Sequence, residues 1–227
     1  HGTEETHNFI TRLSDARQRQ LRFLTAVLEH KIPFRFNFVI SAYNQREILD
    51  ATKFMAFYHP RIINFINFNP HHGWATSPEK AAEVMADFDV VEPLLDSSIR
   101  FAEACGIGVN VRYYPMCRLA EQHRRCVCNN VHVTFDPYEW DYGIEPKTVD
   151  AHLRWGLAGS SGTEYKGWPC TTCDIATICG GAHKKIVELA GEKFLRPLRD
   201  TDISEADRSN VFYYRQHNDR TLVVEGE

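Results

Sequence analysis

No apolar run among the 227 residues approaches the roughly 20 needed to span a bilayer, so the sequence offers no membrane-crossing helix. No signal-like apolar segment lies near His1, and no initiator methionine opens the chain; it is expected to be a piece of a longer polypeptide. An excess of charge of one sign is also missing. With 26 Lys and Arg against 30 Asp and Glu, the net charge is -4, which excludes general attraction to nucleic acid or an anionic membrane. The single basic cluster, His123-Arg124-Arg125, reads as a solvated loop. Internal repeats and low-complexity tracts do not stand out.

What is present is enough for a core. At 43% hydrophobic residues the chain can fold without staples, so a metal would be an addition to the scaffold. Seven cysteines, an odd and clustered number, accompany 11 histidines. That suits a reducing compartment and metal binding better than a secreted disulfide framework, and the cytoplasm is the expected location.

Periodicity outlines the first half. Leu21, Leu24, Val27 and Leu28 fall at helical spacing between Ala16 and Lys31, and Pro33 closes the segment. Phe34, Phe36, Phe38 and Ile40 alternate as a strand, and the apolar Val39 between them predicts that both faces are covered. Asn44 and Glu47 have capping-box spacing before a helix with Ile48, Leu49, Thr52 and Met55. Residues 61–69 read as a second strand. Ser77 and Pro78 open a long helix through Val84, Phe88, Val91, Leu95, Ile99 and Ala102, kinked or split at Pro93 and ended by Gly106. Within it Cys105 reads as a small buried hydrophobe. Residues 107–114 form a third strand.

The alternation predicts α/β architecture with parallel crossovers; a βα barrel, partial or complete, and an open doubly wound sheet both fit. Ligands gather at the carboxyl ends of such strands, here Ser41–Asn44, Asn67–His72 and Arg112–Cys117. Arg112, a cation in an apolar strand, requires a partner. His71 and His72 beside Trp74 stand where a substrate could lie, although adjacent loop residues often point apart. Beyond Cys117 a short strand at 131–135, a turn at Asp136-Pro137, a helix at 146–157 and a helix from His183 to Leu189 are expected. Between the first of these and the helix at 146–157, the aromatic and acidic run 136–142 reads as a packing corner. The tail carries a possible hairpin, 211–214 against 222–224.

The densest chemistry lies in WPCTTCDIATICGGAH, 168–183. Cys170, Cys173 and Cys179 have the spacing C-x2-C-x5-C, which lets sulfurs from one loop converge on a metal centre. A fourth ligand must come from Cys117, Cys126 or Cys128. Zinc and an iron–sulfur cluster compete for such a set.

Taken in order, HG with ETHN at 1–8, FNFVISAYN at 36–44, INFINFNP at 63–70, VNVRYYPMC at 109–117 and CTTCDIATICGG at 170–181 resemble the radical S-adenosylmethionine enzymes with a SPASM or twitch auxiliary-cluster extension. The resemblance covers the chain to about Gly191. It implies the second half of a partial (β/α) barrel of parallel strands at 1–116, a small cysteine-rich metal-binding extension at 117–191 and a tail at 192–227. The cofactors implied are S-adenosyl-L-methionine and one 4Fe–4S cluster on Cys117, Cys170, Cys173 and Cys179, with Cys126 or Cys128 as a substitute for one of them. Ser41, Asn44, Asn67 and Arg112 are the implied cofactor contacts, and no catalytic residue is assigned.

In that family a 5′-deoxyadenosyl radical abstracts hydrogen from substrate, here expected to be a peptide or small metabolite, with flavodoxin or ferredoxin as electron donor. Two departures stand out. The C-x3-C-x2-C motif of the family is absent from the 227 residues and is expected upstream, on an N-terminal half in cis or trans. His183 stands where the full extension has a further cysteine, which argues against two auxiliary clusters and leaves His183 an ordinary helix residue or a ligand. The rival readings are a zinc- or cluster-binding scaffold without chemistry and a degenerate remnant of the family.

Overall fold

Three strands, β1 (Arg35–Ile40), β2 (Ile62–Asn67) and β3 (Gly108–Arg112), pair in parallel in the order β1-β2-β3. They belong to the first of two compact units, His1–Arg112; the second is Tyr113–Glu227. The computed structural model describes residues 2–68, 77–127, 164–176, 178–199 and 204–208. The strand at 131–135, the run 136–142, the helix at 146–157, the hairpin, His71, His72, Trp74 and Cys128 lie outside the described residues.

Helices α1 (Glu4–Thr11) and α2 (Ala16–Glu29) precede β1, α3 (Ile48–Phe57) joins β1 to β2, and α4 (Pro78–Val84) and α5 (Phe88–Ala104) lie between β2 and β3. Both crossovers step in the same direction across the sheet. Right-handed connection therefore puts α3 and α5 on one face, where they pack against each other. Ile48, Ala51, Thr52 and Met55 of α3, and Val91, Leu95, Ile99 and Ala102 of α5, are buried at three- and four-residue spacing. On the strands Phe38, Ile40, Ile63, Phe65 and Val111 are essentially inaccessible, each contributing about 1.5–3 kcal/mol by burial. The Arg17 guanidinium of α2 lies 3.7 Å from the ring centroid of Phe54 in α3.

The other face carries a row of amides. Asn37, Asn64 and Asn110 sit in register on the three strands. Asn110 Nδ2 donates to Asn64 Oδ1 at 2.9 Å, and Asn64 Nδ2 donates to Asn37 Oδ1 at 2.7 Å. Asn64 and Asn110 are buried, so the row satisfies polar groups that would otherwise be costly.

Several local expectations are corrected. Asn37 and Val39 are exposed, Val39 to 39%, so β1 is covered on one face only. The Asn44–Glu47 capping box does not form: Asn44 makes no side-chain cap, and a 3-10 turn, Gln45–Glu47, precedes α3. The long third helix is two helices. They separate at residues 85–87, where Met85 is extended and Asp87 starts α5 by accepting from Asp89 N at 2.9 Å. Pro93 sits inside α5 without ending it. Cys105, the C-cap of α5, is exposed rather than buried. β3 stops at Arg112 because Tyr113 adopts a positive φ of 55°, which breaks the extended chain. Ser77 caps α4 through Lys80 N, with Pro78 in its first turn, as its sequence predicts.

Among the described residues the second unit has less regular structure. Two 3-10 turns, Met116–Arg118 and Glu121–Cys126, are followed after a gap by the antiparallel pair β4 (Glu164–Tyr165) and β5 (Ala182–His183), then α6 (Lys184–Ala190) and a helical turn, Glu205–Arg208. Ala182, Val187 and Leu195 form a small buried cluster, with Cys117, Tyr165, Cys170 and Phe194 packed on it. His123 and Arg124 are buried, which corrects the solvated-loop reading. Arg124 Nη1 meets Asp207 Oδ2 at 3.0 Å, and Ser204 Oγ also donates to that carboxylate. No helix among the described residues is long and apolar enough to cross a membrane.

Candidate metal centre

The β4–β5 pair sets the site by placing Tyr165 opposite Ala182. From β4 the chain enters a 3-10 turn, Trp168–Thr172, in which Cys170 N donates to Gly167 O at 2.9 Å and Cys173 N to Cys170 O at 3.2 Å. These turns fix the first two thiols of the C-x2-C-x5-C segment. The third is set by Cys179 N donating to Ile175 O at 3.0 Å. Gly181 then returns the chain to β5 with φ +78°, and a Cβ there would lie 2.3 Å from the Tyr165 carbonyl oxygen. Only glycine fits that return.

Cys117, Cys170, Cys173 and Cys179 line one cavity with Pro115, Ile175 and Leu195, and Lys166 and Arg196 border it. Its empty volume, counted out to solvent, is about 360 Å³. Main-chain N–H groups point at three of the sulfurs. Arg196 N donates to Cys117 Sγ at 3.4 Å, Leu198 N to Cys173 Sγ at 3.4 Å, and Gly181 N to Cys179 Sγ at 3.3 Å. Two of these come from residues 195–198, a strap that also accepts from Asp174 N through Leu198 O at 3.0 Å. Arg199 Nη2 ties its end to Thr172 Oγ1 at 2.8 Å.

Burial pushes the Cys117 thiol up to about 12 and the Cys179 thiol to about 11, and it raises Cys170 as well. Those thiols are protonated at neutral pH, and a cation drawn among them would displace their protons. Among the described residues, no three His, Cys, Asp or Glu side chains are grouped as a site for a single metal ion.

Cys126 is buried away from this cavity, with Arg125 Nη1 at 3.5 Å from its sulfur. His183 does not line it either. It is the N-cap of α6, with Nδ1 accepting from Lys185 N at 3.1 Å and the ring edge-on to Tyr113.

In the first unit, Ser41 and Asn44 spend their polar groups on each other: Ser41 N and Oγ donate to Asn44 Oδ1 at 2.8 and 3.2 Å, and Asn44 Nδ2 donates to Val39 O at 2.8 Å. Glu47 accepts from Gly2 N, Thr3 N and the Thr6 hydroxyl at 3.0, 3.1 and 2.5 Å, tying α1 to the 3-10 turn before α3. Asn67 and Arg112 end β2 and β3, both buried. Strand alternation puts Arg112 on the face of the amide row and Asn67 on the opposite, helix-covered face. Sequence reasoning missed the amide row, whose signal is the recurring apolar-Asn-apolar triplet at 36–38, 63–65 and 109–111. It also missed the strap and the Arg124–Asp207 pair, for which no local pattern exists. No family model, curated protein or solved structure matches this chain.

Proposed function

We propose that this chain is part of a radical S-adenosylmethionine iron–sulfur enzyme, acting on a peptide or small metabolite, in which Cys117, Cys170, Cys173 and Cys179 hold one auxiliary 4Fe–4S cluster. The observation that carries the reading is the meeting of four thiols from separate turns in one cavity, with main-chain N–H groups directed at three of the sulfurs. Zinc draws its four sulfurs to about 2.3 Å from one point. A 4Fe–4S cluster likewise takes four cysteine thiolates, and the C-x2-C-x5-C segment with a fourth thiol supplies such a set. When bound, such a cluster supplies one-electron chemistry at a potential set by sulfur hydrogen bonds and burial.

The chain's own residues would do the rest. Ile175 and Leu195 keep water from the sulfurs, and the N–H groups of Gly181, Arg196 and Leu198 stabilise thiolate charge. In the first unit, three parallel strands in the order β1-β2-β3 with helices on one face are compatible with part of a βα barrel and equally with one half of a doubly wound sheet, whose halves are also monotonic. Arg112, at the carboxyl end of β3, is the preferred cofactor contact; Ser41, Asn44 and Asn67 are kept as positioning groups. The step that uses S-adenosylmethionine is assigned to a C-x3-C-x2-C segment in cis or on another polypeptide.

The test is iron, sulfide and zinc analysis of the anaerobically reconstituted chain and of a Cys170→Ser/Cys173→Ser variant. About four irons and four sulfides per chain are expected, lost in the variant and retained in Cys126→Ser. One zinc without sulfide would overturn the cluster and leave a structural metal site.

A further inference from the structure

Cys170 and Cys173 differ from the other thiols of the chain in access and spacing. The six cysteines among the described residues are all free. Cys126 and Cys179 are buried, and Cys105 is exposed at the end of α5. Cys170 and Cys173 are each half-buried, stand three residues apart and line the same cavity, so a small reagent can reach both. Cys117 is half-buried as well, but it belongs to a distant segment, the Met116–Arg118 turn.

The backbone holds the pair at bridging distance. Cys170 lies in the 3-10 turn Trp168–Thr172, and Cys173 N closes that turn by donating to Cys170 O at 3.2 Å. Three residues make one turn of a 3-10 helix at a rise of about 2.0 Å each, so side chains at i and i+3 stand one above the other with Cα atoms about 6 Å apart. A disulfide spans roughly 4.4–6.8 Å between Cα atoms. Because both side chains line one cavity, their sulfurs converge. A bridge here would close a very short loop, which removes little entropy from the unfolded chain and stabilises the fold little. Bridges that are exposed and stabilise little are the labile ones, and in a reducing compartment they form transiently.

We infer that Cys170 and Cys173 are a reversible dithiol–disulfide pair, oxidised by exchange with a small disulfide of the glutathione type, and that the bridge closes the four-thiol cavity to metal until it is reduced. The bridge stands on the geometry of the turn; its effect on metal rests on the centre proposed above. In the step, one cysteine thiolate attacks a sulfur of oxidised glutathione and releases one glutathione. The second cysteine attacks the mixed disulfide, and a second glutathione leaves. The two cysteine protons end on the two released glutathiones. The cysteine pair is oxidised by two electrons and the glutathione disulfide is reduced by two. A bridged pair has no thiolate to offer a metal.

The experiment places the reduced, metal-free full chain in oxygen-free glutathione buffers of increasing oxidised fraction. After acid quench and unfolding, the remaining thiols are alkylated and mapped by mass spectrometry. Cleavage after Lys166 and Lys184 and before Asp174 puts Cys170 and Cys173 on one peptide and Cys179 on another. In wild type the first peptide should lose two hydrogens and escape alkylation, Cys126 and Cys179 should be alkylated, and dithiothreitol should reverse the change. Cys105 should take at most a glutathionyl group. Cys170→Ser and Cys173→Ser should each leave the remaining cysteine of the pair glutathionylated, because the mixed disulfide has no second thiol to resolve it. Cys117→Ser should bridge at the same glutathione ratio as wild type. The oxidised and reduced chains are then offered iron with sulfide, or zinc, and the oxidised chain should bind less than about a tenth as much metal. A bridge to Cys117 or Cys179, stable mixed disulfides in wild type, or free thiols throughout overturns the pair, and the metal centre survives if the reduced chain still binds metal. A Cys170–Cys173 bridge with metal binding unchanged overturns the closure of the cavity. A reduced chain that binds no metal overturns the centre above, while the mapped bridge still supports the pair.

Discussion

The two units are ordered by different chemistry. The first has a continuous apolar layer between three strands and the helices on one face, and a row of three amides that satisfies the other. The second gathers a small buried cluster, Ala182, Val187 and Leu195, around four thiols, and it ties its end with a buried ion pair. In the first unit the buried residues of the strands and helices are mostly apolar. In the second, a smaller apolar cluster is supplemented by a buried ion pair and by hydrogen bonds to sulfur, so under the proposed function its order should be coupled to metal binding.

The comparison is broken most directly through the ion pair. Asp207→Ala would leave Arg124 buried without its carboxylate, which costs about 3–5 kcal/mol. Hydrogen exchange should show faster opening of residues 121–127 and 204–208, with the three strands unchanged. Equal acceleration in both units would show that they do not unfold separately. Next comes Gly181→Ala, which forces a side chain into a positive-φ position against the Tyr165 carbonyl. A loss of roughly 2–4 kcal/mol is expected, together with reduced iron uptake, because the backbone forced to shift carries the N–H that Gly181 donates to Cys179. Wild-type melting and metal content in this variant would contradict the tight return described here.

Two smaller effects sharpen the other side. Asn64→Ala removes the middle of the amide row and leaves its neighbours short of partners, at about 1–3 kcal/mol. Urea unfolding should register this in the first unit with metal content unaffected. The smallest effect is set by pH. Burial, with nearby positive charges including Arg17, holds His7 down to about 4 from 6.5. Between those values the unfolded chain binds the proton and the folded chain does not, so this contribution to stability is complete above about pH 6.5 and is lost as pH falls through 4. An NMR titration of His7 with a midpoint near 6.5 would contradict it.

Much of the first unit was legible because its signals are local. The strand alternation of Phe36, Phe38 and Ile40 and the helical spacing of Val91, Leu95 and Ile99 report burial directly. Errors arose where a polar side chain had two bonding choices. Asn44 and Glu47 have capping spacing, yet Asn44 bonds Ser41 and Val39, and Glu47 reaches Gly2, Thr3 and Thr6. A partner more than forty residues away does not register in a local pattern.

By itself the sequence determined the α/β alternation, the absence of a long apolar span, and a segment with three thiols at metal-binding spacing, because each follows from neighbours along the chain. Tertiary structure decided which of Cys117 and Cys126 shares their cavity. It brings Cys117 to the cavity through the Arg196 N–H, 79 residues away, and leaves Cys126 outside it. It also decided the register that aligns three asparagines and the pairing of Arg124 with Asp207 across 83 residues. These depend on which distant groups meet in the folded chain, and chain proximity in three dimensions is set by packing rather than by spacing.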